Sequence, residues 1–244
     1  IYALARESTG GRIRFNTNSP TITIKAELFN WDAAHVSHGG KMEASKYGWE
    51  HISFSYNQND FKDALNIKND LSDSLEGIID FDYTLEIKST NINEIRKHVN
   101  NFRSRASCIS VIGGDLKVNR AVVENIRVDV LSRPYLNRFD SGFNHVLAKE
   151  AVRNNVAVEV CFKDILRTYL TPRAKVISNI RDICALHHKF DFPLILSSRA
   201  ESIMDIRTTH DFCEVFRVFR KPFRKRHRLR KSVHCLHRIG HERV

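Results

Sequence analysis

Long apolar runs are missing from this sequence. None approaches the ~18 consecutive apolar residues that a membrane helix needs, so no membrane partner is expected. The first residues lack a basic segment followed by an apolar one, so no signal peptide is expected. A starting Met is also absent, as in a fragment or a processed chain. Cysteine pairs in CxxC spacing are missing too. The five Cys (Cys108, Cys161, Cys184, Cys213 and Cys235) are odd in number and widely spaced, and four of them fall inside apolar patterns. That usage predicts buried, reduced thiols rather than disulfides or zinc ligands, and a cytoplasmic setting.

The common catalytic fingerprints are absent as well. There is no GxGxxG, no P-loop and no GxSxG, which argues against the dinucleotide, nucleotide-triphosphate and hydrolase sites those motifs build. His35-x-x-His38 has a spacing that could bring two imidazoles to one metal. It lies in a poorly patterned segment without an adjacent carboxylate pair, so loop histidines are the better reading. His187-His188 ends an amphipathic helix, where cationic side chains suit the helix dipole.

What is present begins with charge. The net charge is +11, but Lys221–Val244 holds nine Lys/Arg against one Glu, which is +8 of it. The other 220 residues carry only +3. The basic balance points to a polyanion partner, mainly through the tail. A run such as Lys221-Pro-Phe-Arg-Lys-Arg-His-Arg-Leu-Arg-Lys231 is expected to be disordered. It reads either as an RNA-binding arm or as an altered reading frame.

From Met42 onward, short apolar strands alternate with helices. Met42–Gly48 and Phe61–Leu71 are helical in pattern, and His51–Ser55 is strand-like. Gly77–Phe81 and Thr84–Ile87 read as two strands. Asn93–Arg105 follows as a helix with Ile92, Ile95, Val99 and Phe102 on one stripe, and Arg96 away from it. Cys108–Ile112 is a buried strand, Asn119–Glu124 a short helix, and Val128–Leu131 the next strand. Asp140–Asn154 is predicted as a helix, capped by Asp140 and Ser141, with Phe143, Val146, Leu147 and Ala151 inward. Val156–Val160 is a strand. Thr171-Pro172 predicts the start of a helix that buries Val176, Ile180, Ile183 and Cys184. Pro193–Ser197 is the last clear strand, and Thr209–Phe219 is helical in pattern.

This alternation is the signature of a parallel sheet built from βαβ units, covered on both faces. At this length a TIM-barrel-like α/β fold, whole or incomplete, is the expected architecture, with a doubly wound open sheet as the alternative. The expected division is 1–41 as an irregular N-terminal segment, 42–220 as the barrel domain and 221–244 as the basic tail.

Cations gather after strands. Lys117 and Arg120 follow Gly113-Gly114, Arg133 and Arg138 follow the next strand, and Arg167, Arg173 and Arg181 follow another. Barrels carry their functional groups there, and guanidinium forks match phosphate geometry. These loops therefore suit an RNA backbone. An ion-paired, solvated surface is the competing reading.

The residues also match a family. Gly113-Gly-Asp-Leu-Lys-Val-Asn-Arg-Ala-Val-Val-Glu124, Val128-Asp-Val-Leu-Ser132 and Leu136-Asn-Arg-Phe-Asp-Ser-Gly-Phe-Asn-His-Val-Leu-Ala-Lys149 resemble ribonuclease P protein component 3. The resemblance continues through Asn155–Glu159, Asp164–Arg167, Arg173-Ala174, Lys189–Pro193, Ser197-Ser-Arg-Ala200 and Asp205–Arg207. It covers Phe81–Arg220 well and Met42–Asp80 loosely, and the two ends depart from it.

The resemblance implies a TIM-barrel-like fold and a protein subunit of the ribonucleoprotein that removes the 5′ leader from precursor tRNA. It implies that the RNA is the catalyst and uses Mg2+, while the chain itself binds no cofactor. Component 2, other ribonuclease P proteins, the ribonuclease P RNA and precursor tRNA are the implied partners. Arg96, Lys117, Arg120, Arg133, Arg138, Lys149, Arg167 and Arg173 are the expected contacts to RNA or protein. Related barrels that are metal-dependent phosphoesterases display His-x-His at the end of the first strand, and no such pair stands here. A phosphoesterase with its own metal and a generic basic RNA-binding protein are the alternative readings.

Overall fold

The computed structural model describes residues 51–66, 80–125, 127–200, 207–208 and 210–211. The expected helices at Met42–Gly48 and Thr209–Phe219, the His35/His38 pair, and the segments 1–41 and 221–244 lie largely or wholly outside these residues.

Six parallel strands form one sheet: β1 (His51–Asn57), β2 (Asp80–Ile87), β3 (Cys108–Ile112), β4 (Val130–Ser132), β5 (Ala157–Cys161) and β6 (Leu194–Ser197). Residues 61–66 are helical. The helices that follow are α1 (Ile92–Phe102), α2 (Leu116–Val123), α3 (His145–Arg153), α4 (Phe162–Leu166) and α5 (Leu170–Phe190). The strands neighbour one another in chain order, β1 to β6, and every pair is parallel. A doubly wound sheet reverses its strand order part-way; this one does not. With right-handed crossovers, a monotonic order puts successive helices on one side, which makes the wall of a barrel.

The two faces of the sheet differ accordingly. Leu85, Ile87, Ile109, Val111, Leu131, Val158, Val160 and Leu194 pack with Val99, Val118, Leu147, Ala151, Ile180 and Ile183 of the helices. The alternate strand positions Cys108, Val130, Ala157 and Ile195 form a second cluster that includes no helix residue. That second, concave face also carries Thr84, Ser110, Ser132 and Glu159, all buried. Its curl is shown by Arg199, just beyond β6, which ion-pairs with both Glu86 on β2 and Glu159 on β5. Those strands would stand roughly 14 Å apart in a flat sheet. One guanidinium meets both carboxylates because the sheet bends around it. The architecture is an incomplete, TIM-barrel-like α/β wall among the described residues.

Local chemistry moves several boundaries from their expected places. The helix expected from Asp140 begins only at His145, with Asn144 as its cap: the Asn144 side chain accepts from the Val146 and Leu147 amides. Gly142 is the reason. Its φ of +61° is left-handed, which a continuing α-helix does not accommodate. Asp140 instead accepts from Arg138, and the Ser141 hydroxyl donates to the Phe143 carbonyl. Val146 consequently faces out, while Phe143 is buried from the loop against Phe192. Helix α5 starts at Leu170 with Tyr169 in the capping position, two residues earlier than the expected cap Thr171, and has no side-chain cap. Its Ile180 and Ile183 are fully buried, and Val176 and Cys184 are partly so. The two short strands expected at 77–81 and 84–87 are represented by the single strand β2.

Three of the five thiols lie among the described residues and sit where the apolar pattern put them; Cys213 and Cys235 lie outside those residues. Cys108 and Cys161 are buried and unpaired, and Cys184 is partly buried and unpaired. Burial pushes the thiols of Cys161 and Cys184 up to about 12. No helix among the described residues is long and apolar enough to cross a membrane.

Candidate functional site

The fold sorts the expected cations into two groups. Arg96 on α1 and Arg120 on α2 line one open groove of about 600 Å³ between the two helices. Arg127, just beyond α2, lines the same groove with Asn100 and Asn125, and Glu124 is its one acid. The helices place these groups for a simple reason. Ile95, Val99 and Phe102 of α1 and Val118, Val122 and Val123 of α2 face the sheet, so the intervening polar positions face out and toward one another. Arg120 donates from Nε to Glu124 at 2.7 Å, one helical turn on. Both side chains are exposed, so water and salt screen this pair and leave the guanidinium exchangeable. The Glu124 hydrogen bond and charge raise the Arg120 pKa. The Arg127 guanidinium donates to the Asn100 amide oxygen at 2.9 Å. Lys117 on α2 and Lys149 on α3 are exposed on the same outer layer of helices.

The second group is committed to the protein itself. After β4 the chain makes a tight loop that buries Pro134 and Tyr135 and leaves Asn137, Phe139 and Asp140 exposed. Arg138 grips Asp140 with Nε at 2.6 Å and Nη2 at 3.1 Å, and donates from Nη1 to the Gly114 carbonyl at 3.1 Å. This forked hydrogen bond holds the Asp140 carboxyl below its ordinary range. Arg133, at φ +49°, pairs with Asp164 at 3.4 Å. Arg173 donates to the carbonyls of Thr168 and Leu166 and lies 5.1 Å over the Tyr169 ring. Arg167, beyond α4, is exposed.

Residues that the sequence reading did not single out hold these loops together. Asn119 is fully buried on α2. Its amide nitrogen donates to the carbonyls of Pro134 and Gly142, and its oxygen accepts from the Gly114 amide. The buried Tyr135 hydroxyl donates to Asp164 at 2.9 Å and accepts from the Cys161 amide at 3.0 Å. Burial and the neighbouring Asp164 charge raise its pKa well above the usual phenol. Gly142 has no room for a side chain: a Cβ there would fall 2.1 Å from the Pro134 carbonyl oxygen. At the centre of the concave face, Arg199 joins Glu86, Glu159 and the Ser132 hydroxyl. Burial opposes its charge, but Glu159 and Glu86 outweigh that and raise its pKa. The signal for this cluster was the charged residue inside an apolar strand, as in Val156-Ala-Val-Glu-Val160.

Chemically, the arrangement offers a cationic groove on the outer helices and a set of rigid, internally neutralised loops at the C-terminal ends of the strands. Among the described residues, no cluster of three or more His, Cys, Asp or Glu could share a metal ion.

Comparison with known proteins gives a consistent picture. Residues 40–220 match the family model described as RNase P subunit p30. Ribonuclease P protein component 3 of Methanothermobacter thermautotrophicus is 44% identical over 182 residues, covering 73% of this chain and 73% of that protein. The protein of the same description from Methanococcus vannielii is 34% identical over 172 residues, covering 70% of this chain and 74% of its own length. Among solved structures, a chain in the cryo-EM structure of archaeal ribonuclease P with mature tRNA superposes with a TM-score of 0.66 at 31% identity, covering 74% of this chain and 80% of that one. Histidinol phosphate phosphatase from Lactococcus lactis, solved with zinc, L-histidinol and phosphate, reaches a TM-score of 0.55 at 12% identity over 78% of this chain and 88% of its own. That second likeness concerns the fold alone.

Proposed function

We propose a function from one premise: this chain belongs to the RNase P subunit p30 family, whose model spans residues 40–220. It is a protein subunit of ribonuclease P, and works with the RNA of that particle, its other proteins and tRNA. The observation that carries this is the extended likeness, in sequence and in fold together, to a chain within an archaeal ribonuclease P bound to tRNA.

Within that particle the chain supports the RNA and does not itself cut the phosphodiester. The cleavage chemistry belongs to the RNA and its Mg2+. The candidate groups here are guanidiniums and amides, which position phosphates without activating a nucleophile. Arg96, Arg120 and Arg127 share a groove in which a phosphate backbone can displace the weak Glu124 pairing. Lys117 extends this cationic layer along α2, and Lys149 extends it to α3. Arg133, Arg138 and Arg173 serve by shaping the loops. Reduced, buried thiols support a cytoplasmic setting. The barrel domain, 42–220, carries this role.

The test is affinity capture of the tagged full chain from an archaeal extract, with sequencing of the RNA retained. Ribonuclease P RNA enriched above ribosomal and transfer RNA is the expected result. Enrichment of bulk RNA in proportion to its abundance would instead describe a generic basic RNA binder.

A further inference from the structure

The one acid in the α1/α2 groove stands where helix electrostatics disfavour it. Glu124 is the C-cap of α2. The carbonyl end of a helix carries partial negative charge, so a carboxylate there is unfavourable. A groove that took phosphate alone would bind it more tightly without this residue. Glu124 nevertheless lines the groove beside Arg96, Arg120 and Arg127. Glu150 of α3 adds a smaller negative field at Arg120 without lining the groove.

The other polar groups of the groove are donors. The Asn100 amide oxygen accepts from the Arg127 guanidinium at 2.9 Å, and the Asn125 amide oxygen accepts from the Arg127 backbone N–H at 3.0 Å. Both partners only donate, so each amide oxygen faces Arg127 and each amide NH2 is left as a donor. Arg96 makes no ion pair or hydrogen bond among the described residues. Glu124 is therefore the principal acceptor of the groove. Ile92, Arg96 and Asn100 are spaced by four along α1 and form one stripe. Ile92 and, on α2, the small Ala121 are the apolar part of the lining.

This set of groups fits a nucleotide better than a bare phosphate. The Arg120–Glu124 pair is exposed and screened, so it opens at little cost. A nucleotide replaces it on both sides: the phosphate takes the guanidinium, and base N–H groups take the carboxylate. Guanine presents two adjacent donors, N1–H and N2–H, that the two oxygens of one carboxylate accept together. The other three bases offer no such pair. Guanine O6 and N7 accept from amide or guanidinium donors. The base must be unpaired, because pairing occupies the N1 and N2 edge, and a helical RNA major groove is too narrow for side chains to reach O6 and N7. A groove of about 600 Å³ has room for such a ligand.

We propose that the α1/α2 groove binds one unpaired guanosine of ribonuclease P RNA, with Arg96 and Arg120 on phosphate and Glu124 on the N1–H and N2–H edge of the base. The proposal rests on the groove's being an RNA site and names what it recognises there. Glu124 is then a specificity residue, and its pairing with Arg120 is the resting state of the site.

The experiment uses ribonuclease P RNA with component 2, with and without the full chain. A dicarbonyl reagent that attacks N1 and N2 reports on each unpaired guanine. Wild type should lower the reactivity of one unpaired guanine severalfold, and Glu124→Gln should leave that guanine reactive. Replacing this guanine by adenine in the RNA should weaken wild-type binding about tenfold, the size of one lost bidentate base contact. The same replacement should change the affinity of Glu124→Gln by less than about twofold, since the two changes remove one interaction. Melting of Glu124→Gln should stay level or rise slightly, because the substitution removes a charge from a helix C-terminus. If no unpaired guanine is protected by wild type and released by Glu124→Gln, the proposal is overturned. It is equally overturned if Glu124→Gln alters affinity for both RNAs by the same factor, which is the behaviour of an ordinary helix ion pair. In either case Arg96→Ala/Arg120→Ala still weakens binding if the groove meets the RNA backbone. Unchanged affinity and salt dependence in that double variant would remove the groove as an RNA site, and the proposal with it.

Discussion

Arg199 and Glu86 stand 113 positions apart in sequence and form an ion pair across the concave face of the sheet. The same guanidinium reaches Glu159 at 3.5 Å and the Ser132 hydroxyl at 3.3 Å. All three ionic side chains are largely buried, so removing the arginine leaves two carboxylates facing one another out of water. The Arg199→Ala variant should lose about 2–3 kcal/mol, toward the lower end for a broken buried pair because some water reaches it. For a domain of this size that is a fall of roughly 5–10 °C in melting temperature. Arg199→Lys should recover only part, since an ammonium cannot fork between two carboxylates. An unchanged melting temperature in Arg199→Ala would show that the sheet holds its curl without the pair.

Asn119 carries the next prediction. Its side chain satisfies two carbonyls and one amide that are otherwise sealed from water. Asn119→Ala should cost about 3 kcal/mol, because each orphaned buried group keeps its desolvation penalty. Denaturant unfolding measures this. A loss below about 1 kcal/mol would mean that water enters and replaces the amide.

Arg138 and Arg120 were expected alike as contact residues, and the structure separates them. Arg138 is three-quarters enclosed and locked to Asp140, which is itself largely exposed. Solvent screening limits that pair to about 1 kcal/mol. The sign follows from Asp140, whose pKa is lowered in the folded protein. Its contribution is present above the unfolded carboxylate pKa and is lost as pH falls through the lowered folded value. Wild type and Asp140→Asn should therefore differ in stability at neutral pH and converge in strong acid. A difference that persists in acid would assign Asp140's effect to packing.

How much of this was readable beforehand depends on the range of the interaction. Cys108–Ile112 was legible because its apolar run is bounded by Gly113-Gly114, and α1 because Ile95, Val99 and Phe102 repeat at helical spacing. Both are local signals. The start of α3 was misplaced because Asp140 and Ser141 are good capping residues whose side chains are taken by Arg138 and the Phe143 carbonyl. Val146 was placed inward on a helical phase set from that wrong start. Arg96 and Arg120 were each legible as exposed cations, but their shared groove required the packing of α1 beside α2. Of the Arg199 cluster only Glu159, a charge inside an apolar strand, was visible in the sequence; its partners meet only once the sheet curls.

The groove gives the prediction on RNA affinity. Each phosphate contact releases counterions, so losing one flattens the salt dependence of binding by about 0.7–0.9 in log–log slope. Arg96→Ala/Arg120→Ala should lower affinity for ribonuclease P RNA and reduce that slope by roughly one to two such steps. Melting should move little, because both side chains are exposed and Arg120's pairing is screened. Filter binding from low to moderate salt checks this. An unchanged slope would place the RNA elsewhere on the protein.

The most direct test is reconstituted cleavage of precursor tRNA across a Mg2+ series. Three reactions are compared: the chain alone, ribonuclease P RNA with component 2, and the same RNA and component 2 with the chain added. A supporting subunit predicts no cleavage by the chain alone, and correct 5′ cleavage at lower Mg2+ when it is added. Metal-dependent cleavage by the pure chain, abolished by a point substitution within it, would contradict that.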